Sequence, residues 1–125
     1  MSQGSLPISE EAFPRSRRLL KPDEFRRVFS EGRRSSDRFF LVLAYPNQCV
    51  DARLGLAVAK KHCRKAVDRN RIKRIIRESF RHNQTQLTGL DLVVVARQGA
   101  ALADNRVCLN SLQQHWHRIA EQCAR

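Results

Sequence analysis

The chain has 125 residues, enough for one domain with a buried core, and its hydrophobic content of 42% is ordinary for a globular protein. Its charge is unusual, because 24 Lys and Arg residues against 12 Asp and Glu give a formal net charge of +12. A compact body with this charge repels itself unless a polyanion neutralises it. We therefore expect nucleic acid as the partner, with an anionic membrane surface as the alternative.

The sequence has no pattern typical of export, membrane insertion or a zinc site. The first fifteen residues include Glu10 and Glu11 and lack a long apolar stretch, and apolar runs such as 39–45 are too short to span a bilayer. His115 and His117 would point to different sides of a helix, which argues against a metal site there. We expect reduced thiols with mostly a packing role, in a cytoplasmic protein, at all four cysteines: Cys49, Cys63, Cys108 and Cys123.

Residues 1–13 are polar and lack periodicity, so we predict a mobile tail before a single RNA-binding domain at residues 14–125. The first element is a short helix with Pro22 in its first turn and Gly32 at its end. Leu20 is placed to pack on this helix as a hydrophobic staple. Its apolar positions are spaced i, i+3 and i+4, which indicates a buried side: Phe25, Val28 and Phe29.

Three apolar stretches predict strands. We expect residues 38–45 and 53–59 to pair as antiparallel neighbours, while the nearly unbroken apolar run 90–96 is typical of a central strand. A long helix is predicted at 65–82. Asp104 can cap a final helix with an apolar stripe of Leu109, Leu112, Trp116, Ile119 and Cys123. The order α-β-β-(β)-α-β-α predicts an α/β (α+β) two-layer sandwich with a sheet of about four strands.

The segment 60–81 concentrates the charge, with ten Lys and Arg residues against only Asp68 and Glu78. At about 100° per residue, its apolar side chains share one arc that must face the core: Ile72, Ile75, Ile76, Ser79 and Phe80. The opposite arc is polar and basic: Asn70, Lys73, Arg74, Arg77 and Arg81, with Arg69 and Arg71 beside it. Cations three or four residues apart weaken a helix unless phosphates neutralise them.

The one-sided charge favours nucleic-acid contact over a merely solvated helix, because solvated faces normally mix both signs. A membrane-surface helix is the competing interpretation, but its apolar residues are needed for the core and no aromatic anchor remains. RNA is favoured over DNA, since nothing resembles a base-reading recognition helix and a cationic helix on a sheet suits the backbone of a folded RNA. A structural rRNA-binding protein fits these features equally well.

The motif Arg-Asn-Arg-Ile-Lys-Arg at residues 69–74 closely resembles the signature of the bacterial ribonuclease P protein family. Lys60 and Lys61 precede it and Arg77 follows it, as in that family. Residues 62–65 depart from the Gly-Asn turn of some members. Further similar segments cover most of the chain: 19–20, 25–29, Gly32, Arg38, 54–61, 93–97 and Gly99.

The resemblance implies an α/β sandwich with an uncommon left-handed crossover from the strand near Ala59, through the basic helix, to the strand near Val94. Sequence reasoning alone favours a right-handed crossover. The resemblance also implies a subunit of an endoribonuclease that removes the 5′ leader of precursor tRNA. In that family the catalyst is an RNA subunit working through Mg²⁺, and the protein supplies no catalytic residues.

The resemblance assigns two binding surfaces. One contacts the catalytic RNA subunit: Lys60, Lys61, Arg64, Lys65, Arg69, Asn70, Arg71, Lys73, Arg74 and Arg77. The other is a cleft between the first helix and the sheet that receives the leader, where Phe25 and Phe29 match the family. Leu43 falls where some members carry a tyrosine, so either leader stacking is expected to be weaker here or Phe39 is expected to substitute on that face. Base stacking on an aromatic ring contributes about 1–3 kcal/mol, although a core role explains Phe25 and Phe29 equally well.

No catalytic constellation of the protein's own is visible. A protein-only nuclease needs clustered carboxylates for metal ions or paired histidines, whereas Asp68 and Glu78 are ten residues apart and each lies among arginines. Together with this absence, the resemblance implies a ribonucleoprotein enzyme subunit that binds neither DNA nor membrane, has no metal site of its own and works with Mg²⁺ held mainly by the RNA subunit. A structural rRNA-binding protein and an autonomous metal nuclease are the alternatives.

Overall fold

A four-stranded sheet with helices on both faces makes up the fold. The computed structural model describes residues 21–47 and 51–123, so the predicted tail at 1–13, Leu20 and Cys49 lie outside the described residues. The predicted α/β fold is confirmed, and the first helix covers part of the second face. In chain order the elements are α1 (Pro22–Glu31), β1 (Arg33–Ser36), β2 (Phe40–Pro46), β3 (Arg53–Ala57), α2 (Ala66–His82), a 3-10 turn (Gln84–Leu87), β4 (Leu90–Ala96), α3 (Gln98–Leu102) and α4 (Asn105–Cys123).

The strands lie in the order β1-β2-β4-β3, which puts β4 in the interior as predicted. β2 is antiparallel to both β1 and β4, and β3 runs parallel to β4. The expected pairing of residues 38–45 with 53–59 is therefore wrong, because β4 lies between those strands. Every residue of β4 except Val95 is buried, and an interior position covers such a strand on both edges as well as both faces.

Helix α2 forms the crossover between the parallel strands β3 and β4. Its bounds match the helix predicted at 65–82 to within one residue, with Lys65 at the N-cap. Parallel neighbours cannot be joined by a tight turn, so the chain must cross the sheet to connect them. The hand of this crossover stays a prediction from the resemblance.

One face of the sheet packs against α2 and α4 in a large apolar core. The arc predicted for α2 is confirmed, since the buried residues of this helix are Ile72, Ile75, Ile76, Ser79 and Phe80. Trp116 of α4 packs on that arc with its ring centroid 6.2 Å from that of Phe80. Its Nε1 donates a hydrogen bond of 2.8 Å to Oγ of Ser79, which satisfies both buried polar groups.

Helix α4 begins as predicted, because Oδ1 of Asp104 accepts a hydrogen bond of 3.0 Å from the backbone N–H of Val107. Most of the predicted stripe is at least partly buried: Leu112, Trp116, Ile119 and Cys123. Leu109 is the exception and is 40% exposed. The prediction was wrong there because the buried side continues through Cys108 and Ser111 instead.

The second face carries a much smaller core under α1, made of Val28, Leu43 and Val93. Phe25 seats α1 on β3, since a Cβ atom added to Gly55 would lie 2.5 Å from the tip of its ring. Gly55 thus permits the close approach of helix and strand. Gly32 ends α1 as predicted, with its N–H bonded to the carbonyl oxygen of Val28.

The three described cysteines are free thiols: Cys63, Cys108 and Cys123. Burial raises the pKa of each thiol, which lowers its reactivity and confirms the expected packing role for these three. No helix in the described ranges is long and apolar enough to cross a membrane.

Candidate nucleic-acid interface

The outer side of α2 and the turn before it carry the predicted cations. The core holds the helix by its isoleucine side, so the opposite side is presented on a rigid support. Six of the predicted residues are exposed on this side of α2 or on the turn before it: Lys60, Lys61, Arg64, Lys65, Asn70 and Arg74. The remaining predicted members are partly buried: Arg69, Arg71, Lys73 and Arg77. Burial therefore divides the ten predicted residues into two groups, six exposed and four partly buried.

Arg69 holds the turn that leads into α2. Its Nη1 donates to the backbone carbonyl oxygens of Cys63, at 3.1 Å, and of Arg64, at 2.8 Å. Cys63 is buried and anchors the same turn, which is closed by hydrogen bonds from the N–H groups of His62 and Cys63 to the carbonyl oxygen of Ala59. This is how the segment 62–65 turns into the helix without the Gly-Asn pair of some family members.

Arg71 ties α2 to the connection between α3 and α4. Its Nη1 donates to Oδ1 of Asn105 at 2.8 Å and to the carbonyl oxygen of Ala103 at 3.4 Å, and its Nη2 donates to the carbonyl oxygen of Ala101 at 3.4 Å. Carbonyl groups at the end of a helix lack partners within it, and a guanidinium satisfies several at once. Arg71 thus has a structural role that its sequence position did not predict.

The cations of α2 are close enough to disturb one another. Burial, together with the charges of Arg69 and Arg77, lowers the pKa of Lys73. Burial and the charge of Arg74 likewise lower the pKa of Arg77, whose buried Nη1 has no hydrogen-bond partner among the described residues. An anion bound on this side would oppose both shifts, because a nearby negative charge favours the protonated form of a base.

A shallow groove on the second face of the sheet contains aromatic and cationic side chains. It is lined by Phe25, Arg26, Phe29, Ser30 and Arg34. Phe29 is 39% exposed, whereas Phe25 is more covered by its contact with Gly55. Phe25 therefore has a packing role and also lines the groove, while the exposed ring of Phe29 is available to a ligand.

The other two residues predicted for this cleft lie elsewhere. Leu43 is fully buried under α1, so no ligand can contact it in this arrangement. Phe39 precedes the first residue of β2, so strand alternation does not extend to it, and it packs against the large core. Its ring lies 5.8 Å from the guanidinium carbon of Arg38. Neither Leu43 nor Phe39 lines the groove with Phe29.

Sequence reasoning missed Arg26, Ser30 and Arg34 as groove residues. Helical spacing was the available signal for two of them, since Arg26 and Ser30 lie four residues apart, and Oγ of Ser30 bonds to the carbonyl oxygen of Arg26. Arg34 could not be predicted as a groove residue, because the short edge strand β1 that carries it has no apolar pattern of its own.

A buried polar cluster under α4 has the composition of a nucleophilic triad but cannot act as one. Nδ1 of His115 lies 2.7 Å from Oγ of Ser35, and its Nε2 lies 3.1 Å from Oδ2 of Asp37 in a poorly aligned contact. His115 has no exposed surface and Ser35 is 5% exposed, so no substrate can reach either. Within residues 21–47 and 51–123, no three His, Cys, Asp or Glu side chains stand close enough together to hold a metal ion.

Comparisons with known proteins identify the family. The family model described as Ribonuclease P matches residues 13–120. A curated relative from Methylococcus capsulatus, a ribonuclease P protein component, is 52% identical over 119 residues, covering 95% of this chain and 93% of the relative.

Two solved structures are similar to this fold. The RNase P protein of Staphylococcus aureus superimposes with a TM-score of 0.72 at 35% identity, covering 78% of this chain and 90% of that one. The RNase P protein of Thermotoga maritima gives a TM-score of 0.72 at 33% identity, covering 82% and 96%.

Proposed function

The chain belongs to the ribonuclease P protein component family, and from this premise we propose that it binds a catalytic RNA subunit and precursor tRNA through two separate surfaces. As a member of that family it is part of the ribonuclease P holoenzyme, an endoribonuclease of tRNA processing. The predicted membership is confirmed. A structural rRNA-binding role is not favoured. Because precursor tRNA is the proposed substrate, the proposed site of action is the cytoplasm.

The outer side of α2 is the proposed surface for the catalytic RNA subunit. The observation that carries this proposal is a set of exposed cations on α2 and on the turn that leads into it, where the core side fixes the helix: Lys60, Lys61, Arg64, Lys65 and Arg74. Burial, and after it the charges of neighbouring cations, lowers the pKa values of Lys73 and Arg77, and a bound polyanion would relieve both effects by favouring the protonated forms. Because the core already orders the backbone of α2, RNA binding does not have to order it, which reduces the entropic cost of association.

The groove of Phe25, Arg26, Phe29, Ser30 and Arg34 is the proposed surface for the 5′ leader. Single-stranded nucleic acid binds where bases stack on aromatic rings and cations follow the backbone, and this groove offers both. It lies on the sheet face opposite α2. The protein would therefore contact the RNA subunit on one side and the substrate on the other.

Mg²⁺ is proposed to act from the RNA subunit. Mg²⁺ prefers carboxylate, phosphate and water oxygens, whereas the outer side of α2 offers cations that repel it. The residues of this chain instead reduce the repulsion between the phosphates of the RNA subunit and those of the substrate. In this mechanism the protein screens charge and positions the leader, and no proton transfer or nucleophilic attack is assigned to its side chains.

Reconstitution tests the proposal. The full chain, the RNA subunit and precursor tRNA are combined over a range of Mg²⁺ concentrations, and the rate of leader removal is measured. We expect the protein to restore cleavage at low Mg²⁺, where the RNA subunit alone is slow. Absence of stimulation would contradict the proposed role, and cleavage by the protein without the RNA subunit would support an autonomous nuclease instead.

A further inference from the structure

An ionic network joins the start of α1 to two strands of the sheet. Arg53 of β3 donates from Nε and Nη2 to the two carboxylate oxygens of Asp91, at 2.7 and 2.8 Å. Its Nη2 also lies 3.0 Å from Oε2 of Glu24 in α1. The other oxygen of Glu24 accepts the backbone N–H of Lys21 at 2.7 Å. Arg53 therefore connects α1 with β3 and with the interior strand β4.

Arg53 differs from an exposed cation such as Arg74 because two carboxylates of the same chain, those of Asp91 and Glu24, pair with it. Its side chain is 22% exposed, while that of Asp91 is 6% exposed and that of Glu24 is 26% exposed. The hydrogen bond to Asp91 raises the pKa of Arg53 despite its burial, so the guanidinium stays protonated. A guanidinium held by two carboxylates has little left for a phosphate. The network consequently has a structural task.

That task concerns the placement of α1. The helix has ten residues, and Val28 is its only fully buried side chain, so neither its length nor its core fixes its angle on the sheet strongly. Two contacts at its N-terminal end supply the restraint. Glu24 meets Arg53, and the next residue, Phe25, seats its ring on Gly55. Arg53 and Gly55 are two apart on β3 and thus face the same side of the sheet.

We propose that Arg53 and Glu24 are positioning residues for the leader groove. The ion pair sets the angle of α1, and this angle sets the distance of Phe29 and Arg26 on α1 from Arg34 on β1, which the groove needs for a base and its phosphate. Neither Arg53 nor Glu24 lines the groove. This inference rests on the proposed function of that groove in binding single-stranded RNA.

Glu24→Gln tests the inference, with Glu31→Gln as the matched control. Both substitutions remove one negative charge from α1, but Glu31 is exposed at the end of the helix and does not line the groove. Glutamine at position 24 can still accept the N–H of Lys21, and the pair of Arg53 with Asp91 remains, so the variant keeps its fold. The measurement is the Kd of the reconstituted holoenzyme for precursor tRNA with a leader and for tRNA without one.

We expect Glu24→Gln to weaken binding of leader-bearing precursor about threefold to tenfold while binding of leaderless tRNA and of the RNA subunit stays unchanged. A general charge effect would have the opposite sign, since both variants make the protein more positive and would strengthen binding of every RNA. Equal behaviour of the two variants, with the wild type still preferring leader-bearing precursor, overturns the inference. A wild type without any preference for the leader would instead overturn the proposed function of the groove.

Discussion

The two faces of the sheet are covered very differently. Among the described residues, 21 buried side chains form the core under α2 and α4, whereas three form the core under α1. The large core fixes the helix that carries the cations. The small core leaves part of the second face open beside Phe29. One sheet thus supports a rigid cationic surface on one side and, on the other, a groove whose wall is the less extensively packed helix α1.

The difference indicates how the two proposed RNA contacts would respond to mutation. Cations on a helix fixed by the large core keep their positions when one of them is removed, so the loss of one weakens binding without moving the others. The groove depends on the placement of α1, so residues outside it also affect its affinity.

Trp116→Ala is expected to cost about 3–5 kcal/mol of unfolding free energy, since it leaves a cavity in the large core and removes the partner of Ser79. Val28→Ala in the small core is expected to cost less, about 1.5–3 kcal/mol. Urea unfolding monitored by circular dichroism measures both. If Val28→Ala were as costly as Trp116→Ala, α1 would be held as firmly as α2 and the contrast between the faces would fail.

The large-core face was predictable from sequence because its signals are periodic. The apolar arc of α2 identifies the buried face of that helix, and the apolar run of β4 identifies an interior strand. Neither pattern needs reference to the rest of the chain. Strand pairing was not predictable in the same way. The positions of β2 and β3 in the sheet depend on which strand is buried in the interior, and this depends on the packing of all four strands together.

The candidate site divides along the same line. Sequence position correctly put the cations on one side of α2, but it gave Arg69 and Arg71 the same role as Arg74. Their bonds to backbone carbonyls at residues 63, 64, 101 and 103 depend on where distant loops meet the helix. In the groove, Leu43 was misplaced because local pattern does not tell which part of a sheet face a short helix covers.

Phe29→Ala is expected to weaken binding of leader-bearing precursor by about 1–3 kcal/mol, the contribution of one stacked base. Leu109→Ala is the matched control, because Leu109 is 40% exposed, close to the 39% of Phe29, and lies on α4 away from the groove. Filter-binding assays with and without the leader give the comparison. Equal losses for both substrates would assign Phe29 a role in folding rather than in leader contact.

Arg74→Ala and Arg71→Ala separate exposed cations from bonded ones. Arg74 is exposed, so its loss should reduce the slope of log Kd against log salt concentration by up to about 0.7–0.9, the value for one phosphate contact. Arg71 is bonded to Asn105 and to the end of α3, so Arg71→Ala should leave the slope unchanged and lower the unfolding free energy by about 1 kcal/mol. A reduced slope for Arg71→Ala would place its guanidinium on a phosphate after all.

His115 is expected to make the unfolding free energy of the protein depend on pH. Burial lowers the pKa of His115 from its ordinary 6.5, although the nearby Asp37 opposes the shift, and Arg118 and Arg97 add to it. Between the lowered value and 6.5 the unfolded chain binds a proton that the folded chain does not. The unfolding free energy should therefore fall as the pH drops through 6.5, and stop falling once the pH is below the folded pKa.

Urea unfolding at several pH values from about 7.5 down to about 5 measures this loss. This range stays above the titration of Asp37. Burial disfavours the charged form of Asp37, but hydrogen bonds from Ser111 and from the backbone N–H groups of Phe40 and Phe39 outweigh it, so the pKa of Asp37 is lowered. His115→Gln should remove the dependence, while His117→Gln, at an exposed position two residues along the same helix, should keep it. If His115→Gln retained the wild-type profile, protonation of His115 would not be coupled to folding. In that case the contact with Asp37 would stabilise the charged imidazole as well as the neutral one, and the buried cluster would hold a positive charge without a loss of stability.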